Sequence, residues 1–227
     1  MTAINVIKQS NAVHVLTDGA GYNADGTLIA IANKVWPVAH LNLVLASRGS
    51  AYFAPLLAQH ASAAAHSFDH LKSIMPALAL ELAGRFAPLM RMSELGSQFD
   101  LVVAGWSETS GPSSYFLCDH HQHGPSVEPW KPVDLGPISL LPQTAAMKVD
   151  LDHEFPNGAD PDQFDSVKDG MCILEIQRRH PSEHGPAGSH MLRGVGMFAQ
   201  LTTITRGAIE TKIIHRWPDE IGKPIKP

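Results

Sequence analysis

The chain has 227 residues, 44% of them hydrophobic and 17% charged, with a formal net charge of −5 at pH 7. This length can enclose a substantial core, whereas the acidic balance and the lack of basic segments interleaved with aromatic residues argue against nucleic acid as a partner. Because no apolar run approaches the roughly 20 residues of a membrane span and the N-terminus does not read as a secretory signal, we expect a cytoplasmic globular protein with no membrane partner.

The N-terminal half is predicted to begin with strands and to continue with helices. Short β-branched stretches between turn residues predict four strands, at 3–8, 12–17, 27–34 and 41–47. Pro37 is expected to separate the last two, because proline does not lie inside a central strand. Helical spacing then predicts a helix over 50–66 and a second helix, capped by Ser67, that runs to about residue 90. Pro76 should kink the second helix or mark its true first turn.

The C-terminal half is expected to contain two pairs of strands around a long irregular stretch. The strands are predicted at 99–106, 113–119, 198–205 and 210–217. Residues 120–161 show little periodicity, and Asp160 followed by Pro161 predicts the start of a helix. We expect an exposed loop at 180–190 and a frayed tail at 221–227.

The order of these elements predicts one domain over 1–227, since the sequence contains neither an internal repeat nor a linker. Strands and helices do not alternate in the way that builds a parallel, doubly wound sheet. Antiparallel sheets packed together, with helices on their outer faces, suit the order better.

The extreme N-terminus offers a nucleophile. Removal of Met1 would leave Thr2 with both a hydroxyl and a free α-amino group, so that one residue carries a nucleophile and the base that activates it. An α-amino group has a pKa of about 8, and a neighbouring ammonium lowers it further. Lys34 could supply that ammonium, with Asp18 holding Lys34 charged and oriented.

At this point the sequence resembles the β-type subunits of the proteasome and their bacterial relatives, which are N-terminal nucleophile hydrolases. In that family an aspartate follows the N-terminal threonine by sixteen residues and a lysine follows the aspartate by sixteen more; Thr2, Asp18 and Lys34 reproduce both intervals. The stretch from Ala46 to Ser50 matches the segment in which a family glycine helps to form the oxyanion hole. Gly49 is the best match for that glycine, although an ungapped count gives Arg48. Two strand-like segments within 101–119 look like the family's paired strands, so the resemblance runs from residue 2 to about 119 and resumes over about 163–217.

The resemblance implies a four-layer α/β/β/α sandwich in which two antiparallel sheets are flanked by helices. It also implies a threonine-type peptidase with Thr2, Asp18, Lys34 and Gly49 as catalytic residues, acting on a peptide through an acyl-enzyme. A ring-like homo-oligomer would be expected, and neither a cofactor nor a metal. A small amide remains an alternative substrate, because the nucleophile does not dictate whether the acyl group is peptidic.

Several family features are missing from this sequence. The family's Gly-Ser-Gly-Ser turn has no counterpart in 133–139, its later aspartate followed by Ser-Gly-Gly has none in 193–197, and the arginine shortly after its aspartate is replaced by Ala20. These departures motivate a second hypothesis, a catalytically inactive scaffold or assembly protein that keeps the fold.

Other patterns in the sequence favour ordinary roles. Histidines in 120–123 include ligand types, but the run falls where a hairpin turn is expected and no zinc signature is present, so solvated turn histidines are the favoured interpretation. Cys118 and Cys172 do not mark a disulfide scaffold. The letters of a dinucleotide fingerprint at 194–199 follow a predicted loop and lead into a strand, which is the wrong context for that motif.

Overall fold

The computed structural model describes residues 2–91, 98–184 and 190–227. In its first half the strands are β1 (Ile4–Lys8), β2 (Val13–Asp18), β3 (Ala20–Tyr22), β4 (Leu28–Ile31), β5 (Val35–Val38) and β6 (Leu43–Gly49), followed by helices α1 (Phe53–Ala64), α2 (Phe68–Arg85) and α3 (Ala87–Met90). The second half contains β7 (Phe99–Ser107), β8 (Gly111–Cys118), β9 (Val133–Asp134), β10 (Ile138–Leu141), α4 (Ala145–Glu154), α5 (Lys168–Arg179), β11 (Ser182–His184), β12 (His190–Leu192), β13 (Phe198–Ile204) and β14 (Ile209–Arg216).

Two five-stranded sheets form the centre of the molecule. The first sheet has the order β10-β1-β2-β13-β14 and the second the order β5-β6-β7-β8-β9, and two hairpins, β3-β4 and β11-β12, lie outside them. Neighbouring strands pair antiparallel in both sheets. The expectation of antiparallel rather than parallel sheets is therefore confirmed for the described residues.

Both faces of the central strands are buried, which explains their nearly unbroken apolar sequences. Successive side chains of a strand point to opposite faces. In β1, Ile4 and Val6 belong to an apolar cluster that also contains Val44 and Val102 of the second sheet. Ile7 instead packs in a separate cluster with residues of α4 and α5.

Helices cover the other face of each sheet. Side chains of α1 and α2, including Leu57 and Leu71, pack on β6, β7 and β8. On the first sheet, α5 lies so close to β2 that a Cβ atom on Gly170 would fall 2.4 Å from Cδ2 of Leu16. The described residues thus form a mixed α/β structure that is compatible with the N-terminal nucleophile hydrolase fold.

The second helix begins where the sequence predicts. Ser67 caps it, because its Oγ accepts the amide N–H of His70 at 3.0 Å. Pro76 lies inside α2 rather than in its first turn. The helix ends at Arg85, and α3 follows as a separate short helix.

Several element predictions need correction. The hairpin strand β3 and the edge strand β5 were not predicted; β5 contains Pro37, which an edge position tolerates. The stretch predicted to be irregular contains β9, β10 and α4, and the helix expected after Asp160 begins at Lys168, after a single 3₁₀ turn at Pro161–Gln163. The expected loop at 180–190 contributes β11 and the start of β12, while 185–189 lie outside the described residues.

The tail, expected to be frayed, is bound to the rest of the chain. Ile225 is buried, the backbone carbonyl of Lys226 accepts a 2.6 Å hydrogen bond from Arg178, and Pro224 forms a β-bridge with Thr27. Apolar burial and backbone pairing both hold this segment, which the proline and lysine composition of the tail did not indicate. Across the described ranges, none of the helices is long and apolar enough to cross a lipid bilayer.

Candidate active site

A buried ion pair joins two of the predicted site residues. Asp18 is the last residue of β2, and Lys34 directly precedes β5. The ammonium Nζ of Lys34 lies 2.9 Å from both carboxylate oxygens of Asp18. Asp18 is fully buried and Lys34 is 6% exposed. The structure therefore brings together Asp18 and Lys34, two residues that the family resemblance implies for the site.

The carboxylate of Asp18 also accepts three backbone hydrogen bonds. The amide N–H groups of Ala3, Ala20 and Gly196 donate to it at 2.9, 2.9 and 3.2 Å. Burial lowers the pKa of Lys34, and the negative charge of Asp18 and its hydrogen bonds to Lys34 oppose that shift in part. A buried lysine whose charge is held by one carboxylate is a localised positive centre.

Thr2 lies beside this pair. The backbone N–H of the next residue, Ala3, and Nζ of Lys34 bind the same oxygen of Asp18. Thr2, Lys34 and Gly49 all line one cavity of about 550 Å³. The predicted removal of Met1 concerns a position outside the described residues.

Gly49 ends β6 in a conformation that favours glycine. Its φ is +85°, and a Cβ atom at this position would lie 2.0 Å from the carbonyl oxygen of Gln98. A side chain at this position would therefore displace the backbone of 98–99. The helix α1 starts only at Phe53, so Gly49 ends the strand before the helix and is not part of the first helical turn.

The cavity is also lined by charged residues that were not expected at the site from the sequence. Asp100 of β7 pairs with Arg48 at 3.3 Å and with His120 and His123 at 3.1 and 2.6 Å. Arg48, Asp100 and His120 border the cavity. Burial alone would raise the pKa of Asp100, but the hydrogen bonds from His120 and His123 and the charge of Arg48 outweigh it and hold that pKa below its usual range.

The expectation of solvated turn histidines is wrong for His120. Its exposed fraction is 9%, whereas His121 beside it is exposed. The register of β7 and β8 pairs Asp100 with Cys118, two residues before His120. That register is a long-range property, and the local sequence of the turn does not reveal it.

One part of the cavity wall is apolar and partly open to solvent. Ile29 of β4 and Tyr52 before α1 are 58% and 41% exposed, and Trp36 of β5 completes this side. A bound peptide could therefore place an apolar side chain against this part of the wall and a backbone carbonyl near the charged residues of the cavity.

Two segments, 133–139 and 193–197, depart from the family's serine-bearing turns, and they differ in their position relative to the cavity. Residues 133–139 span β9 and the start of β10, and none of them borders the cavity. Gly196, from the other departing segment, donates its N–H to Asp18 and accepts the N–H of Gly19 at 3.0 Å. That second segment therefore supports Asp18 through its backbone.

Comparison with known proteins identifies the fold. No family model matches the chain, and no curated protein matches it. Among solved structures, the chain is similar to the Gly-1 mutant of Anbu from Hyphomicrobium sp. strain MC1, with a TM-score of 0.64 and 16% sequence identity. The match covers 97% of this chain and 89% of that chain. At this identity the likeness shows the fold alone.

Proposed function

We propose that this protein is an N-terminal threonine hydrolase that cleaves peptide bonds, built as one domain with a four-layer α/β/β/α sandwich. The observation that carries the proposal is the buried pair of Asp18 and Lys34, whose carboxylate also binds the backbone directly after Thr2. Thr2 borders the same cavity as Lys34 and Gly49. A nucleophile, a positive centre and a backbone turn thus share one solvent-accessible space.

The chemistry would follow from the position of the amine. After loss of Met1, Oγ1 of Thr2 attacks the substrate carbonyl carbon while the α-amine of Thr2 takes the hydroxyl proton. The amide C–N bond then breaks, the amine returns the proton to the leaving nitrogen, and an ester joins Thr2 to the acyl group. Water, activated by the same amine, cleaves that ester and regenerates the hydroxyl.

The surrounding residues would prepare these groups. The ammonium of Lys34 favours the neutral form of the nearby α-amine, because two positive charges at short range repel. Asp18 fixes Lys34 in place. The backbone at Gly49 would stabilise the oxyanion, as preorganised N–H donors do in other acyl transfers.

The proposal extends to assembly and location. The sequence resemblance to the proteasome β-type subunits implies a ring-shaped homo-oligomer, and we place that assembly in the cytoplasm. Confinement within a ring would limit access to the cavity to unfolded peptides. The apolar wall formed by Ile29, Trp36 and Tyr52 supports a peptide with an apolar side chain as substrate.

Mass spectrometry with an active-site label tests the proposal. The natively expressed protein should lack Met1 and gain the mass of one peptide epoxyketone, which reacts with both the hydroxyl and the amine of an N-terminal threonine. Thr2→Ala should abolish labelling and peptide turnover, and Thr2→Ser should retain part of both. Ser10→Ala, in the exposed turn between β1 and β2, serves as the control and should label fully. Undiminished labelling of Thr2→Ala would exclude this mechanism.

A non-catalytic scaffold is the second candidate. It is favoured by one observation, that residues 133–139 do not border the cavity and supply no supporting serine there. Retention of Met1 together with an unlabelled native protein would support this function. If Met1 is absent and small amides, but not peptides, are hydrolysed, the same site is that of an amidase.

A further inference from the structure

A second group of side chains lies beside the candidate active site. Cys118 ends β8 and pairs in register with Asp100 of β7, so that their side chains project from the same face of the sheet. His120 and His123 follow in the turn after β8 and reach back to Asp100. This group of four residues is called the Cys118 cluster below.

The atoms of the cluster are close enough to share one ion. One ligand atom from each of Cys118, His120 and His123 lies within 4.8 Å of the others. In a tetrahedral zinc site, bonds of about 2.0–2.3 Å place such atoms roughly 3.3–3.6 Å apart. Shifts of about 1 Å would bring the three atoms to that separation.

The contacts with Asp100 orient both histidines. The Nε2 atoms of His120 and His123 lie 3.1 and 2.6 Å from Oδ1 of Asp100, which fits imidazoles that carry the proton on Nε2 and the lone pair on Nδ1. Nδ1 of His120 accepts the N–H of Gln122 at 3.3 Å, so a metal ion at this atom would replace that hydrogen bond. Ligating histidines commonly donate their other N–H to a carboxylate, which fixes the ring.

The positions of the rings are also restricted by packing. The ring of His123 meets Phe116 edge-on at 5.0 Å and lies 5.1 Å from the ring of His120. Cys118 is fully buried in the apolar cluster that contains Val102 and Phe116. Its thiol donates to the backbone carbonyl of His120 at 3.3 Å, so the sulfur lies next to the two histidines.

We propose that Cys118, His120 and His123 bind one divalent transition-metal ion of the zinc class, with Asp100 as the carboxylate that orients both histidines. A thiolate with two imidazoles selects such ions over Mg²⁺ or Ca²⁺, which prefer oxygen ligands. Binding releases the thiol proton of Cys118 as its sulfur bonds to the metal. Because Asp100 and His120 border the cavity, a fourth ligand could enter from there.

This site does not depend on Thr2 being the nucleophile. Three ligands lie on β8 and the turn after it, and Asp100 lies on β7, so binding requires only the pairing of these two strands. The Thr2→Ala variant should therefore bind the metal as the native protein does. Failure of the proposed hydrolase and failure of the metal site are separate results.

Titration with Co²⁺ alone tests the proposal on the full chain after treatment with a chelator. The native protein should bind one Co²⁺ per chain, with a thiolate-to-cobalt charge-transfer band, and Zn²⁺ should displace it. Cys118→Ser should lose the band. Asp100→Asn should keep the band but bind Co²⁺ about 10–100-fold more weakly, as expected for loss of an orienting carboxylate.

Three further variants separate metal binding from folding. Because Cys118 is buried, His123→Ala gives an independent test at a side chain that is 26% exposed, and it should weaken Co²⁺ binding at least tenfold. Cys172→Ser, on α5, and His121→Ala, beside the cluster, are the matched controls and should bind Co²⁺ as the native chain does. A native chain that binds no stoichiometric Co²⁺, or a band that survives in Cys118→Ser, would overturn the proposal.

Discussion

At the scale of single residues, Asp18 and Lys34 contribute unequally to their ion pair. Asp18 accepts three backbone N–H bonds in addition to both contacts with Lys34. Lys34 is 6% exposed, and Asp18 is the carboxylate that binds its Nζ. Loss of the carboxylate therefore leaves a buried ammonium without its counter-ion, whereas loss of the lysine leaves a carboxylate that keeps three N–H donors.

We expect this asymmetry to appear in stability. Asp18→Asn should lower the free energy of unfolding by about 3–5 kcal/mol, the usual result of breaking a buried pair from one side. Lys34→Met, which keeps a similar volume, should cost less, about 1–3 kcal/mol. Urea denaturation of the two variants measures the difference. An equal or larger cost for Lys34→Met would show that the backbone donors contribute little to Asp18.

The family resemblance in the sequence predicted this pair but not the Cys118 cluster. Thr2, Asp18 and Lys34 reproduce intervals of the family that the sequence resembles, and the resemblance implies a shared site. In the structure Lys34 binds Asp18, and Thr2 borders the same cavity as Lys34. The contacts of Asp100 with His120 and His123 depend on the pairing of β7 with β8 and on the turn that follows. Local sequence does not encode the direction of that turn.

At the scale of the elements, the start of α2 depends on a distant residue. The first N–H groups of a helix have no partner within the helix. Ser67 binds the N–H of His70, while the two carboxylate oxygens of Glu108 accept the N–H groups of Phe68 and Asp69 at 3.0 Å each. Glu108 lies in the turn between β7 and β8, so it joins this helix to the second sheet.

Glu108→Ala should therefore destabilise the protein by about 1–2 kcal/mol, the upper range for loss of a helix cap. Hydrogen exchange of the amides at 68–70 should accelerate in the same variant. Glu128→Ala removes an exposed glutamate that is paired with Lys131 and is the control, with an expected change within about 0.5 kcal/mol. Equal effects of the two substitutions would contradict a capping role for Glu108.

The sequence predicted the long elements better than the short ones. Alternating apolar residues and the cap at Ser67 place β1, β2, β7, β13 and α2 close to their observed positions. The helix α4 was missed, although Thr144 caps it by accepting the N–H of Met147 at 3.2 Å. Proline, glycine and aspartate around it weaken the periodicity, and its stability comes from packing on the first sheet, which no local pattern shows.

At the scale of the whole molecule, the C-terminal tail supports the wall of the cavity. Ile225 packs with Ala20 and Leu28 of the β3-β4 hairpin. The N–H of Leu28 donates to the carbonyl of Lys223 at 3.0 Å, and the N–H of Gly222 donates to the carbonyl of Leu28 at 2.8 Å. The same hairpin carries Ile29 into the cavity wall, so the far end of the chain fixes one side of the candidate active site.

Truncating a tail side chain should therefore loosen the cavity wall. Ile225→Ala should lower the free energy of unfolding by about 2 kcal/mol, the low end for a buried isoleucine because its apolar cluster is small. Amides at 20–31 should exchange faster in hydrogen-exchange measurements, while those of β7 should not, because β7 packs in other clusters. Ile221→Ala, at a side chain that is 53% exposed, is the control and should leave both quantities within error. If Ile225→Ala destabilises the protein while the protection of 20–31 stays unchanged, the tail contributes to stability without holding the hairpin.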